Sequence, residues 1–114
     1  MKIKDIQLTS LKIKKSLIRI ITDTGIEGWA EAPIQGLSFN NSRIDIFSSY
    51  VDQIIKPLLI GEDPIQIDRH WETLALGKGE NVYRLPSNIV GAIDIALWDL
   101  LGKETNLPVH SLMG

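Results

Sequence analysis

The sequence contains no cysteine, which excludes a disulfide framework, a thiolate zinc site and a cysteine nucleophile. No apolar run approaches the ~18 residues that cross a bilayer as a helix, and the N-terminus lacks the apolar core of a signal peptide. Aromatic residues are scarce, at 6%. Four signatures are missing as well: the serine nucleophile elbow, the His-Glu-x-x-His zinc motif, the P-loop and the glycine-rich dinucleotide fingerprint. With 114 residues the chain falls short of an eight-stranded β/α barrel, which needs roughly 250. What remains is 44% hydrophobic and 23% charged, with a formal net charge of −2. That composition suits a folded domain with its own core, and the expectation is a soluble cytoplasmic protein without a membrane segment.

Charge is unevenly placed. Lys2, Lys4, Lys12, Lys14, Lys15 and Arg19 stand among the first twenty residues beside a single acid, Asp5, whereas the rest of the chain is net acidic. Nucleic-acid binding is not expected, because no aromatics are interleaved with the lysines to stack on bases. Lysines along an alternating segment instead suit a solvated edge strand.

Residues 2–8 and 11–14 alternate apolar and polar, but Ile6 and Leu8 are out of phase with Leu11 and Ile13. That slip predicts a bulge or a strand end near Thr9-Ser10. Leu17, Ile18, Ile20 and Ile21 read as a central strand, and Thr22-Asp23-Thr24-Gly25 as a turn into a third strand ending near Ala32. From Ser42 the period becomes helical, with Ile44, Phe47, Val51, Ile54, Ile55 and Leu58 on one face and Gly61 as terminator. Asp63-Pro64 predicts the start of a second helix carrying Ile65, Ile67, Trp71 and Leu74, which ends before Gly77. Pro86-Ser87 opens a third, whose apolar positions are Ile89, Val90, Ile93, Ala96, Leu97, Leu100 and Leu101, with Trp98 on another side. Asn106 and Pro108 close it. The predicted fold is α+β: a three-stranded antiparallel meander followed by about three helices, one domain over residues 1–114.

Little chemistry is visible in these residue types. His70 reads as a partly exposed partner of Asp68 or Glu72, and His110 as a capping or interface residue. Asp94 and Asp99 lie five apart on one helix, about 140° around its axis, and cannot share a metal. Asp99 with Lys103 is an i,i+4 ion pair. The segments 9–15, 33–41 and 77–86 are the expected loops, where function concentrates. In the last of them Tyr83 and Arg84 read either as a surface arginine packed over a tyrosine or as a pair suited to a carboxylate or a sugar hydroxyl.

The run Ala92-Ile93-Asp94-Ile95-Ala96-Leu97-Trp98-Asp99-Leu100-Leu101-Gly102-Lys103, with Leu107-Pro108-Val109 and Ser111-Leu112-Met113-Gly114 after it, closely resembles a signature of the mandelate racemase/muconate lactonizing enzyme group of the enolase superfamily. Thr22 to Glu31 resembles that group's second hairpin, and Leu59-Ile60-Gly61-Glu62-Asp63-Pro64 its turn between helices. The short first hairpin and Val82-Tyr83-Arg84 are most similar to the acid-sugar dehydratases acting on galactonate, gluconate or mannonate, although Leu85 replaces the glycines usual in that group.

The resemblance implies an N-terminal capping domain, not catalytic alone, over a separate barrel that is absent from this chain. That barrel would hold Mg²⁺ and the bases that remove the proton α to a carboxylate, and water would then be expelled from the β-carbon. No catalytic or metal-binding residue is assigned here. By the same resemblance Ile34, Gln35, Leu37, Phe39, Tyr83 and Arg84 are substrate-facing, while Asp94, Trp98, Leu101 and Met113 meet the barrel or another partner. A small acid sugar is the implied substrate and a homo-oligomer the implied assembly. Two other readings stay open at this point: a racemase, epimerase or cycloisomerase, and a stand-alone binding or structural module.

Overall fold

The computed structural model describes residues 1–11, 15–32, 42–77, 85 and 87–108. Three strands, β1 (Ile3–Leu11), β2 (Lys15–Thr22) and β3 (Glu27–Ala32), form an antiparallel sheet in the order β1-β2-β3. The helices that follow are α1 (Ser42–Tyr50), a π-helical turn (Val51–Ile55), α2 (Lys56–Leu59), α3 (Ile67–Leu76) and α4 (Ser87–Thr105). The first three of these are continuous and form one helix, so the architecture is the predicted meander followed by three helices.

The β-branched run of residues 17–21 occupies the central strand, where both edges are paired. Ile18 and Ile20 are buried toward the helices. The turn into β3 closes when Gly25 N–H donates to the Thr22 carbonyl at 3.1 Å, with Gly25 at φ 87°, a conformation that favours glycine. Thr22 Oγ1 adds a bond of 2.7 Å to the Ile26 carbonyl.

The phase slip in β1 lies elsewhere than expected. Register shifts between Ile3 and Asp5, so that Ile3 and Ile6, three apart, are both buried. An extra residue at Lys4 restores the inward phase, and β1 then runs on through Thr9-Ser10 to Leu11. Residues 9–11 and 15 of the predicted loop 9–15 belong to the strands β1 and β2, and residues 12–14 lie outside the described residues.

The first helix buries Phe47, Val51, Ile55 and Leu59, a repeat of four. In an α-helix each step of four drifts by about 40° around the axis, so three steps would carry Leu59 off the core face. The wider π turn absorbs that drift: Lys56 N–H bonds the carbonyl of Val51, five residues back. It also precedes Pro57, whose ring conflicts with an ordinary α-helical turn. Ile54 and Leu58, expected on the same face, are half-buried at its margin.

The second helix starts later than predicted. Asp63–Gln66 is a turn in which Asp63 Oδ1 accepts the Ile65 N–H at 2.9 Å, and α3 begins at Ile67. Ile67, His70 and Leu74 face inward, leaving Ile65 and Trp71 exposed. His70 is therefore no exposed partner of Asp68 or Glu72. It is buried, with Nε2 2.8 Å from the Asp63 carbonyl oxygen, and pins the turn to the helix.

Helix α4 crosses the sheet over β3 and β2. Ile89, Val90, Ala92, Ile93, Ala96, Leu97 and Leu100 are buried; against the predicted stripe, Ala92 is added and Leu101 is only half-buried. Asn106 adopts φ 56° and Leu107 N–H returns to the Gly102 carbonyl at 3.1 Å, a left-handed stop at the expected place.

Candidate functional site

The residues predicted to touch substrate, Ile34, Gln35, Leu37, Phe39, Tyr83 and Arg84, lie outside the described residues, as does Met113. The remaining three, Asp94, Trp98 and Leu101, sit on α4 within an arc of roughly 60° if each residue advances about 100°. That arc lies away from the buried positions. Trp98 and Leu101 are half-buried and pack against the margin of the core. Sequence reasoning missed the most exposed apolar side chain beside them: Ile95 is 58% exposed, and Leu107 beyond the helix end is 49% exposed. The signal was present, since Ile95 follows Asp94 and precedes Trp98 by three, but the sequence reading assigned it to neither the buried stripe nor the partner-facing set.

Asp94 is the unusual group on this face. Half-burial pushes its carboxyl above the ordinary range, and the nearby charge of Asp68 on α3 adds to the effect. A raised folded-state pKa means that ionisation of Asp94 opposes folding: the cost is full above the folded pKa and vanishes below the unfolded value near 3.9. Asp94→Asn is therefore expected to raise the thermal midpoint at pH 7, by no more than about a few °C because solvent screens this partly exposed group. The gain should fade as pH drops toward 3; a destabilised Asp94→Asn chain at pH 7 would overturn this reading.

One polar cluster ties α4 to the sheet, and a second lies on the sheet's other face. At the edge of β3, the Trp29 N–H donates to Asp99 Oδ2 at 2.9 Å, and Lys103 Nζ donates to the Glu27 carbonyl at 2.9 Å. Asp99 and Lys103 also pair with each other at 2.9 Å. The expected i,i+4 pair thus has a second job, which helix spacing alone does not reveal. On the sheet face away from the helices, Gln7, Arg19 and Trp29 stand in line across the three strands. Arg19 stacks over the Trp29 ring at 5.2 Å and pairs with Glu27 at 2.5 Å. The Arg19 hydrogen bond holds the Glu27 carboxyl below its usual range despite some opposing desolvation.

A cleft of about 250 Å³ opens between β1 and the first helix, lined by Ile6, Leu8, Thr9, Val51, Asp52 and Lys56 among others. Lys56 bridges Asp52 at 3.2 Å and Asp5 at 3.3 Å. Its ammonium is held charged to higher pH, chiefly by the bond to Asp52, against desolvation. Of the predicted residues that are described, Asp94, Trp98 and Leu101, none lines this cleft. Among the described residues no group of three His, Asp or Glu side chains could hold a metal, and no helix is long and apolar enough to cross a membrane.

A sheet braced by a single long helix, with Gly28 against Ala96 and Asp99 on the strand edge, is the arrangement around the signature run. The family model for the mandelate racemase / muconate lactonizing enzyme N-terminal domain matches residues 5–114. The chain belongs to this family. It is 34% identical over 110 residues to a D-galactonate dehydratase family member from Streptomyces bingchenggensis, covering 96% of this chain and 25% of that protein. It is 33% identical over 97 residues to a D-mannonate dehydratase from Sphingomonas sp., covering 85% and 23%.

A crystal structure of an enolase from Agrobacterium radiobacter, provisionally described as a galactarate dehydratase and bound to Na and L-malate, superposes with TM-score 0.78 at 27% identity. The match covers 100% of this chain and 28% of that one. This enolase-superfamily N-terminal domain therefore spans about a quarter of the curated relatives it matches. The α+β expectation and the family resemblance are both borne out.

Proposed function

We propose that the chain, a single capping domain over residues 1–114, is the specificity-bearing part of an acid-sugar dehydratase. The observation that supports this most is the family match over residues 5–114 together with relatives named for galactonate and mannonate dehydration. In this reading a separate barrel removes the proton α to the carboxylate and the β-hydroxyl leaves as water, giving an enol that becomes the 2-keto-3-deoxy acid. The Mg²⁺ implied for such an enzyme would be held by the barrel in this reading.

The cap's own task is to cover the reaction, exclude water and contact the sugar. Ile34, Gln35, Leu37, Phe39, Tyr83 and Arg84 are the proposed substrate contacts, with Arg84 on the substrate carboxylate. Asp94, Trp98, Leu101 and Met113 are the proposed seam with the barrel. The working form is a homo-oligomer in the cytoplasm.

The test is an assay of the longest natural polypeptide containing this sequence, with Mg²⁺, on a panel of aldonates and aldarates. Conversion of at least one to a 2-keto-3-deoxy acid is expected. Arg84→Ala should lower kcat/KM by roughly 10- to 100-fold, as for a lost charge-assisted hydrogen bond of about 1.5–3 kcal/mol. If no acid sugar is converted, the dehydratase reading is wrong; if Arg84→Ala turns over normally, Arg84 is not a substrate contact.

A further inference from the structure

We propose that Asp99 and Lys103 form an edge guard, whose removal opens β3 to antiparallel pairing with the β3 of a second copy of this chain. Among the described residues β3 is an outer strand, paired only with β2. An outer strand presents outward N–H and C=O groups that template the addition of another strand. Here two of those outward groups are already taken: the Trp29 N–H by Asp99 Oδ2 at 2.9 Å, and the Glu27 carbonyl by Lys103 Nζ at 2.9 Å.

The two side chains also hold each other at 2.9 Å, so each keeps the other aimed at the strand. The opposite edge is treated in kind, by backbone instead of side chains. Ile3 N–H donates to the Glu62 carbonyl at 2.9 Å, and Gly61 N–H to the Ile3 carbonyl at 2.8 Å.

The occupant follows from the strand itself. Two copies of β3 related by a twofold axis at Trp29 would exchange the N–H and C=O of residue 29 directly, with Glu27 of one copy opposite Glu31 of the other. Like charges facing across a pair disfavour it, so charge repulsion is a second barrier, one that salt weakens. The guard and the repulsion together suppress self-pairing of a strand whose inward residues, Gly28, Ala30 and Ala32, are buried and add nothing to an outer surface.

The absence of cysteine supplies the test. Antiparallel pairing at residue 29 brings the two Cα atoms to about 5.5 Å, within disulfide range. Trp29→Cys leaves the residue's N–H in place to bond Asp99 and reports the pairing. The full chain carrying Trp29→Cys, with and without Asp99→Ala, is oxidised gently at ~0.5 M salt, where repulsion beyond ~4–5 Å is screened, and disulfide-linked dimer is measured. The guard predicts at least about five-fold more dimer with Asp99→Ala, because the exposed edge pairs at cross-linking distance. Asp99→Asn, which keeps an acceptor oxygen for the Trp29 N–H, should return most of the protection.

Equal dimer with and without Asp99→Ala in chains of native circular dichroism overturns the proposal, since a purely structural role would lower stability without directing copies to residue 29. If Asp99→Ala does not fold, Lys103→Met decides in the same background. It frees the Glu27 carbonyl and releases the Asp99 carboxylate that Lys103 holds against the strand, and its dimer yield must exceed that of Trp29→Cys alone.

Discussion

Gly28→Ala is expected to destabilise the chain by about 3 kcal/mol or more, above the ~1–3 kcal/mol typical of overpacking. A Cβ at position 28 would overlap the Ala96 carbonyl oxygen and lie 2.9 Å from Leu100 Cβ. The first obstacle is backbone, and no rotamer change moves it: α4 as a whole must lift off β3. That helix is tied down by Asp99 on the Trp29 N–H and by Lys103 on the Glu27 carbonyl, so lifting it strains these contacts as well.

Against a total stability of ~5–15 kcal/mol, the loss should lower the thermal midpoint by roughly 10–20 °C. Urea unfolding followed by circular dichroism measures it. Leu100→Ala in the Gly28→Ala background should not rescue, because shortening a side chain leaves the Ala96 carbonyl where it was. A loss under ~1 kcal/mol would mean that α4 shifts at little cost, and the close approach would then be incidental.

Gly28 marks the boundary of what the sequence made legible. The strand order, the central place of residues 17–21, the inward stripe of α4 and its stop at Asn106 all followed from period and turn chemistry, because each is a local property of neighbouring residues. The π turn was not read, although a repeat of four in Phe47, Val51, Ile55 and Leu59 carries it. Spacings of three and four are both counted as helical, and only their uniformity separates the wider turn.

The bulge at Lys4 was missed for a related reason: the spacing of three between Leu8 and Leu11 was taken as the phase slip, while the same spacing between Ile3 and Ile6 went unread. The Asp99 and Lys103 contacts needed the third dimension, since residues 29 and 99 meet only after α4 has docked. His70 was misjudged because nearby acids suggested a surface pair, whereas its partner is a backbone carbonyl seven residues earlier. Of the candidate site, only the α4 face could be placed; Asp94, Trp98 and Leu101 share it, and Ile95 proves its most exposed apolar member.

That face yields the second large effect, through two adjacent residues. Leu97 is 1% exposed and Trp98 half-buried at the core's margin. Leu97→Ala leaves a cavity inside this chain and is expected to cost ~2–5 kcal/mol whether or not anything is attached to it. Trp98→Ala should cost less in this chain alone, about 1–2 kcal/mol, because a half-buried indole forfeits only the apolar area it hides.

In a longer protein whose barrel covers α4, the same Trp98 would be desolvated on both sides. Its truncation should then approach the ~3–5 kcal/mol of a buried tryptophan. Chemical denaturation of both variants in both contexts separates the cases. Leu97→Ala sets the scale, as its cavity is internal to the domain and should be independent of context. If the cost of Trp98→Ala rises by ~2 kcal/mol or more in the longer protein, the face of Asp94, Ile95, Trp98 and Leu101 is an interdomain seam. If it is the same in both, that seam lies elsewhere on the domain, and Ile95 is an exposed surface residue with no covering partner.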